Sequence, residues 1–536
     1  MIHDLNVISG ATIAHADVCI VGAGTAGLFL ASRLRRHGRS VVVLEAGELT
    51  SSRSSSLPMT VEQQGIHYRG AELGRSFGLG GTSVLWGGQM IPVTPSDIAA
   101  RPWSGMDAWP VDYEELEPYF GEVAEVLGFA AAIPTGGVSD QDIVKKRFSG
   151  LAVMGEEFAV RVSTWLPFKT RNFSQEFAKP LREDGHLAVW LNAMITSFDT
   201  APGPGKSSIK AVTAKSKAGH NLTVHATHYV LCAGALETTR LLLEHDDRTN
   251  GSITSSGAPL GRNFSDHLSA TCGRFHRQLF SRFNGAVAPV FDGGLMRTPR
   301  LELSAAAQRA EGLPSAFAHV TFRTNGDTGF DVVRNFLRRR QGEQHELGLT
   351  PKRLGRVVHD VTAIAYWRYA RTRLWIPREA EVLLQVDVEQ VPNPDSRIRL
   401  SSERDSIGRK RLIVDWRITA DDVAAINKVT RLTANGWKNS GLCRFADLEV
   451  VADRSFNAFD SLYDVYHPTG TLRMGSAERN SVVDRNLRIW ALDNCYVSTT
   501  AVFPSAGSAN PGFTHLALTA RLAEHIAGQS PRAGIC

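Results

Sequence analysis

Gly22, Gly24 and Gly27 stand as G-x-G-x-x-G within DVCIVGAGTAGLFLASRLRRHGRSVVVLEAG, residues 17–47. The run 18–21 ahead of them is short, apolar and partly β-branched, as a buried strand requires. Leu28, Ala31 and Leu34 follow at helical spacing, and the run 41–44 reads as a second buried strand closed by Glu45. Gly22 permits the tight turn from strand to helix. Gly24 lets the backbone approach a pyrophosphate, and Gly27 lets the helix pack on the strand with its N-terminus facing the anion. Glu45, 18 residues beyond Gly27, is spaced to accept hydrogen bonds from a ribose 2′-OH. A carboxylate there repels a 2′-phosphate and disfavours NADP. FAD and NAD share this fingerprint, so it predicts a dinucleotide and leaves the choice to the rest of the chain.

A second glycine cluster, GLGGTSVLWGG at 78–88, holds five glycines in eleven residues. That density lets backbone N–H groups converge on a flat ligand, and Ser83 is placed to add a hydroxyl. Leu79, Val84, Leu85 and Trp86 are too apolar for a solvated linker. Near the C-terminus, His467 precedes Pro468 in YHPTGTLRMG (466–475) and Asn510 precedes Pro511 in FPSAGSANPGFT (503–514). A following proline disfavours helix at each. Spacing alone gives neither a role, since the chain has 17 histidines.

The elements that must position these residues are those of an α/β protein. A chain of 536 residues with 43% apolar and 21% charged residues is ordinary globular material, long enough for two large domains. A net charge of +5 over that length is too weak an excess to argue for nucleic acid. The six cysteines, Cys19, Cys232, Cys272, Cys443, Cys495 and Cys536, show no CxxC and no zinc spacing; no metal site is expected, and buried thiols in a reducing compartment are. The 14-residue apolar stretch 18–31 contains three glycines and is too short to span a bilayer. No Lys or Arg precedes Arg33 to start a signal peptide. A soluble, cytoplasmic protein is therefore expected. Residues 227–233 read as another strand of the parallel sheet. Within 382–418, three alternating runs separated by Pro392, Asn393, Pro394 and Gly408 predict antiparallel strands of one sheet walling a substrate cavity. Alternation lets only one of Glu389 and Gln390 face that cavity. Residues 334–378 carry 11 Lys or Arg against 3 Asp or Glu, with Tyr366, Trp367, Tyr369 and Trp375 interleaved. A solvated helical insertion with inward-packed aromatics is expected here rather than a docking surface or lid.

Taken together, GAGTAG, GLGGTSVLWGG, WPVDYEELEPYF (109–120), CAGALETTRLL (232–242), GRNFSDH (261–267), EQVPNPDSRIRLSSERDSIG (389–408), YHPTGTLRMG and FPSAGSANPGFT resemble, in order, the glucose–methanol–choline (GMC) family of flavoprotein oxidoreductases. They extend from residue 17 to about 526. The resemblance implies a Rossmann-like FAD-binding domain drawn from 1–100, 180–275 and 455–536. It implies an interleaved α+β substrate domain on an antiparallel sheet from 101–179 and 276–454. It implies FAD contacts at Gly22, Gly24, Gly27, Glu45, Gly80, Gly81 and Ser83, and more weakly at Ile195, Ala233, Gly234 and Thr514. His467 then becomes the catalytic base and Asn510 its partner. Members with covalent flavin often carry a histidine near Leu85; leucine cannot form that bond, so dissociable FAD is expected. Thr499-Thr500-Ala501 replaces a common Asp-x-Ser, and pyrophosphate contacts are not assigned there.

The chemistry so implied is oxidation of an alcohol, most simply on a sugar, glycoside or cyclic polyol. His467 takes the hydroxyl proton while hydride leaves for flavin N5, and oxygen, a quinone or a redox protein is the final acceptor. A flavin-containing lyase of the same fold with no net redox, oxidation of a non-sugar alcohol, a non-enzymatic flavin-binding module and an NAD-dependent dehydrogenase are the alternatives.

Overall fold

The computed structural model describes residues 1–529 apart from 9, 51, 54–59, 133–140, 204, 343–353, 406–407 and 452–460. Cys536 and part of the basic segment lie outside the described residues.

Two sheets organise the chain. In the first, the fingerprint strand Thr12–Val21 lies between Val41–Leu44 and Asn221–Leu231, parallel to both. Ile2–Asp4 and Leu187–Leu191 extend the parallel side, Cys495–Val497 joins Asn221–Leu231, and an antiparallel meander through Ser208–Lys215 and Met194–Ala201 completes the sheet. The short strand Val41–Leu44 is buried throughout, which is why it reads as a continuous apolar run rather than an alternating one. The helices Thr25–Arg36, Tyr113–Val126 and Pro511–Ala527 pack beside one another on this domain. It is a Rossmann-like domain.

The second sheet is antiparallel. Its order runs Ala446–Val450, His267–Arg277, Glu381–Glu389, Ala316–Arg323, Leu295–Leu303, Phe158–Trp165 and Gln89–Met90. The helix Ala420–Asn439 packs against it. His267–Arg277 therefore belongs to this sheet, although the expected boundary at 275 put it with the first. The strands expected in one sheet over 382–418 also divide. Only Glu381–Glu389 joins the large sheet; Arg397–Arg404 and Lys410–Trp416 form a separate three-stranded sheet with Val61–Gly65. The intervening Pro392 and Pro394 carry no N–H for a ladder, and the chain leaves the sheet there.

In the basic segment, helices Gly329–Gln341 and Leu354–Tyr369 pack on each other. The expected inward packing of the aromatics holds for Trp375, which is buried, whereas Tyr366 and Tyr369 are exposed. Arg371 Nε donates to the Tyr366 hydroxyl at 3.2 Å, so that ring serves the surface. Cys19, Cys232, Cys272 and Cys495 are free and buried, and Cys443 is half-buried. No helix among the described residues is long and apolar enough to cross a membrane.

Candidate active site

The two glycine segments are stacked on each other. Gly80 N–H donates to Ala23 O at 2.9 Å, and a Cβ on Gly81 would come within 2.8 Å of Gly24 Cα. Gly22 has φ +106°, and a Cβ there would meet Cys232 O at 2.6 Å. A Cβ on Gly27 would fall 1.9 Å from Gly22 O. Gly24 is different: its nearest neighbour is Gly81 Cα at 3.9 Å, so its absent side chain leaves room rather than relieving a clash. The helix Thr25–Arg36 begins there without a side-chain cap among the described residues, and the first-turn N–H groups of such a helix suit an anion.

Glu45 is buried at 6% exposure. It accepts from Ala23 N at 2.8 Å, Gly47 N at 2.9 Å and Gly78 N at 3.0 Å. Burial pushes its carboxyl pKa up, against the pull of those N–H groups. Three of about four acceptor positions are thus filled, so Glu45 ties both glycine segments together and retains little capacity for a ribose. Ser83 is likewise committed. Its hydroxyl donates to Gly80 O at 2.5 Å and accepts from Phe173 N at 3.0 Å, which shapes the loop instead of offering a free hydroxyl. Gln341, ending the basic helix, donates to Trp86 O at 2.8 Å and to Ser83 O at 3.2 Å.

The weaker expected contacts gather around the same cradle. Ala233 abuts Gly22, and Gly234 opens the helix Gly234–Arg248 at φ +75°. Ile195 follows Ala193, whose N–H reaches Glu45 O at 2.8 Å. Thr514 Oγ1 accepts from Val93 N at 3.3 Å, and a Cβ on the nearby Gly512 would meet the Trp86 ring at 3.0 Å. These residues fit a flavin dinucleotide: an uncapped helix start, an open face at Gly24 and backbone converging from two glycine segments.

His467 lies where three distant segments meet. Leu268 pairs with Asp464 and Ser265 with Thr469, which brings Asp266-His267 opposite the turn carrying His467. Tyr466 adopts φ +67°, a conformation strained for a non-glycine residue. The turn is held by His467 N–H donating to Asp266 Oδ2 at 2.7 Å. Asp266 also accepts from His267 N at 2.7 Å, the Tyr68 hydroxyl at 2.8 Å and Val465 N at 3.4 Å. Burial and the neighbouring Asp464 carboxylate push the Asp266 pKa well up. Asp266, His267 and His467 place possible ligand atoms within 4.8 Å of one another, but the Asp266 oxygens are filled by these donors and the cluster is a hydrogen-bonded unit.

The His467 ring is half-buried, and its Nδ1 lies 3.1 Å from His267 Nδ1. Burial, and secondarily the facing His267, hold its pKa well below the usual range, so it is neutral at pH 7. Asn510 occupies the N-cap of Pro511–Ala527 without a side-chain cap bond, although asparagine is a favoured capping residue. The stretch before it is fixed by Trp109 Nε1 on Ser505 Oγ at 2.9 Å, Glu389 on Gly507 N at 2.5 Å and Arg300 on Ser508 O at 3.0 Å.

Glu389 and Gln390, expected to offer one side chain to a substrate, are both engaged within the protein. Glu389 is fully buried and paired with Arg101 through both oxygens, at 2.5 and 3.0 Å. Gln390 accepts from Trp416 Nε1 at 2.8 Å and from Asp266 N at 3.2 Å, and donates to Arg417 O at 3.1 Å. The strand is buried along nearly its whole length, so alternation chose between two interior faces. Sequence reasoning missed Asp266 and His267. The quoted GRNFSDH contained them, but only cross-strand register reveals what they touch.

A family model described as GMC oxidoreductase matches residues 392–519, and one for an NAD(P)-binding Rossmann-like domain matches 20–74. The chain thus carries a GMC oxidoreductase domain and an NAD(P)-binding Rossmann-like domain. The chain is 22% identical to the fructose dehydrogenase large subunit of Gluconobacter japonicus, over 95% of this chain and 97% of that protein. It is 24% identical to paromamine 6′-oxidase of Streptomyces fradiae, over 96% and 91% respectively. The solved structure of pyridoxine 4-oxidase from Mesorbium loti superposes with a TM-score of 0.61 at 18% identity, covering 95% of this chain and 98% of that one. A formate oxidase from Aspergillus oryzae RIB40 gives 0.59 at 17%, covering 96% and 99%. The protein is thus an oxidoreductase with the architecture of this family.

Proposed function

We propose that this GMC oxidoreductase oxidises an alcohol group on a sugar, glycoside or cyclic polyol to a carbonyl, with non-covalently held FAD. The observation that carries the reading is His467: a neutral imidazole, fixed at a strained turn, with Nδ1 engaged and Nε2 left for a substrate. The substrate class rests on relatives named for fructose and for aminoglycosides.

FAD, when bound, supplies a two-electron acceptor for hydride at its ring. Gly22, Gly24, Gly27, Gly80 and Gly81 would hold it by backbone approach, with Ala233, Gly234, Ile195 and Thr514 around them. An alcohol is a poor hydride donor while its proton remains. His467 Nε2 takes that proton, a general-base contribution of about 10²–10⁴-fold. The carboxamide of Asn510, whose oxygen makes no helix-cap bond, turns its N–H to the oxygen and stabilises the growing negative charge there. The rigid stretch from Ser505 to Ser508 keeps it in place without reorganisation at the moment of reaction.

The test is anaerobic mixing of the holoenzyme with a panel of sugars, glycosides, cyclic polyols and simple alcohols, read by loss of the yellow flavin absorbance. Bleaching by a member of the first three groups supports the reading. Bleaching only by simple alcohols overturns the substrate class, and turnover with the flavin still yellow overturns the redox chemistry.

A further inference from the structure

His267 Nε2 lies 2.7 Å from the carbonyl oxygen of Gly507. A carbonyl only accepts, so this ring nitrogen carries a proton. His267 is buried at 2% exposure, and burial outweighs the Gly507 carbonyl and the nearby Asp387 and Glu389 carboxylates in lowering its pKa and holding it neutral, while Arg300 acts in the same sense as burial. A neutral imidazole has one N–H, so His267 Nδ1 is bare. The 3.1 Å contact between the two Nδ1 atoms then has one consistent polarity: His467 Nδ1–H donates and His267 Nδ1 accepts.

We propose that His267 is the positioning residue of the reaction, a neutral hydrogen-bond acceptor that fixes His467 in the tautomer whose Nε2 is free of a proton. This rests on His467 being the base, as argued above. The anchor behind it is rigid. Gly507 gives its N–H to Glu389, which is clamped by Arg101, and a Cβ at Gly507, where φ is +63°, would meet Asp97 Cγ at 2.9 Å. The two rings stand at 86° to each other, so the His267 lone pair locks ring orientation as well as tautomer. When His467 takes a proton at Nε2, its contact with His267 becomes charge-assisted and stronger. The gain therefore falls in the charged state that proton transfer creates. A neutral acceptor raises the proton affinity of His467 less than a carboxylate would, so the base stays unprotonated at rest.

The test uses full-length holoenzyme labelled with ¹⁵N-histidine, with the His467 signals assigned by their loss in His467→Gln. The wild type is expected to show the Nδ1–H tautomer at His467. An Nε2–H tautomer would overturn the proposal, and this readout needs no substrate. In His267→Leu, His467 should become a mixture of tautomers, and flavin reduction should slow about 10- to 100-fold, a part of what a positioned base contributes. Substrate Kd should stay within about threefold, since the alcohol does not contact His267. His267→Asn, whose carboxamide oxygen replaces Nδ1, should recover most of the rate. An unchanged tautomer and rate in His267→Leu would overturn the proposal. Should that variant lose its flavin, the wild-type spectrum and the asparagine variant still decide. If His467→Gln reduces flavin at full speed, the base assignment fails while the tautomer result stands.

Discussion

Arg101 grips Glu389 by both carboxylate oxygens in the interior, with side-chain exposures of 1% and 0%, and the same carboxylate takes the N–H of Gly507. One ion pair thus joins the second sheet to the stretch that ends at Asn510. Removing one member leaves a charge buried without its counter-ion. Arg101→Met is expected to lower stability by about 3–5 kcal/mol, read as a shift of the denaturation midpoint. Paired replacement by Arg101→Met and Glu389→Leu should cost less than the single change, and a double variant as unstable as Arg101→Met would argue against the isolated charge as the cause.

The glycines of the fingerprint divide by what a methyl group would meet. Gly27→Ala puts a Cβ 1.9 Å from Gly22 O, a clash inside the strand–helix junction, and is expected to compromise folding itself. Gly24→Ala meets nothing closer than 3.9 Å, so the apoprotein should keep its melting temperature while FAD affinity falls by about tenfold or more, about 1.4 kcal/mol. Fluorescence titration of flavin-stripped protein measures the latter. Equal FAD affinity in Gly24→Ala and wild type would place the pyrophosphate elsewhere.

Denaturation distinguishes bound from bonded flavin. The family resemblance puts the histidine that often carries a covalent flavin near Leu85, and a leucine side chain has no nucleophilic atom. Acid precipitation is therefore expected to leave a colourless pellet and a yellow supernatant. A yellow pellet would show a covalent link through some other residue.

The fingerprint and its strands were legible because their information is local: a turn, a helix start and a buried run occupy neighbouring residues. The proposed base and its proposed partner were legible only as a family pattern, since proline context alone gives a histidine no function. What could not be read was whatever depends on register between distant segments. His267 and His467 are 200 residues apart, and only the pairings of Leu268 with Asp464 and Ser265 with Thr469 bring them together. The internal partners of Glu389 and Gln390 were hidden for a related reason. Alternation separates two faces of a strand, but it does not say whether either face meets a cavity. The rule that worked for Glu45, an acid at the end of the second strand, located the residue correctly and still missed its main partners, which are backbone N–H groups of the protein itself.

His467→Ala separates chemistry from binding. The turn is held by backbone bonds to Asp266 and by the Ser265–Thr469 pairing, none of which needs the imidazole. The variant is expected to fold and bind FAD while its flavin reduction slows by about 10²–10⁴-fold, measured by stopped-flow absorbance under anaerobic conditions. Retention of more than about a tenth of the rate would move the base to another residue.

Acidity should affect rate and stability in the same direction. As the proposed base His467 works neutral, and burial holds its pKa well below the usual histidine value. The rate of flavin reduction should therefore be on its plateau at about pH 6.5 and above, and fall as pH drops through that lowered value. A half-point at or above pH 7 would contradict the desolvated site. For stability, His267, His467 and His515 all have folded pKa values depressed by burial, that of His515 to about 4. Below about pH 6.5 the unfolded chain takes up protons that the folded state refuses. The unfolded state then binds more protons, so stability is complete above that pH and is lost as pH falls toward the folded-state values. Melting temperatures measured from pH 7.5 to 4.5 should decline. His467→Gln, which cannot titrate, should decline less steeply; parallel slopes for variant and wild type would show that His467 is not one of the groups kept neutral by folding.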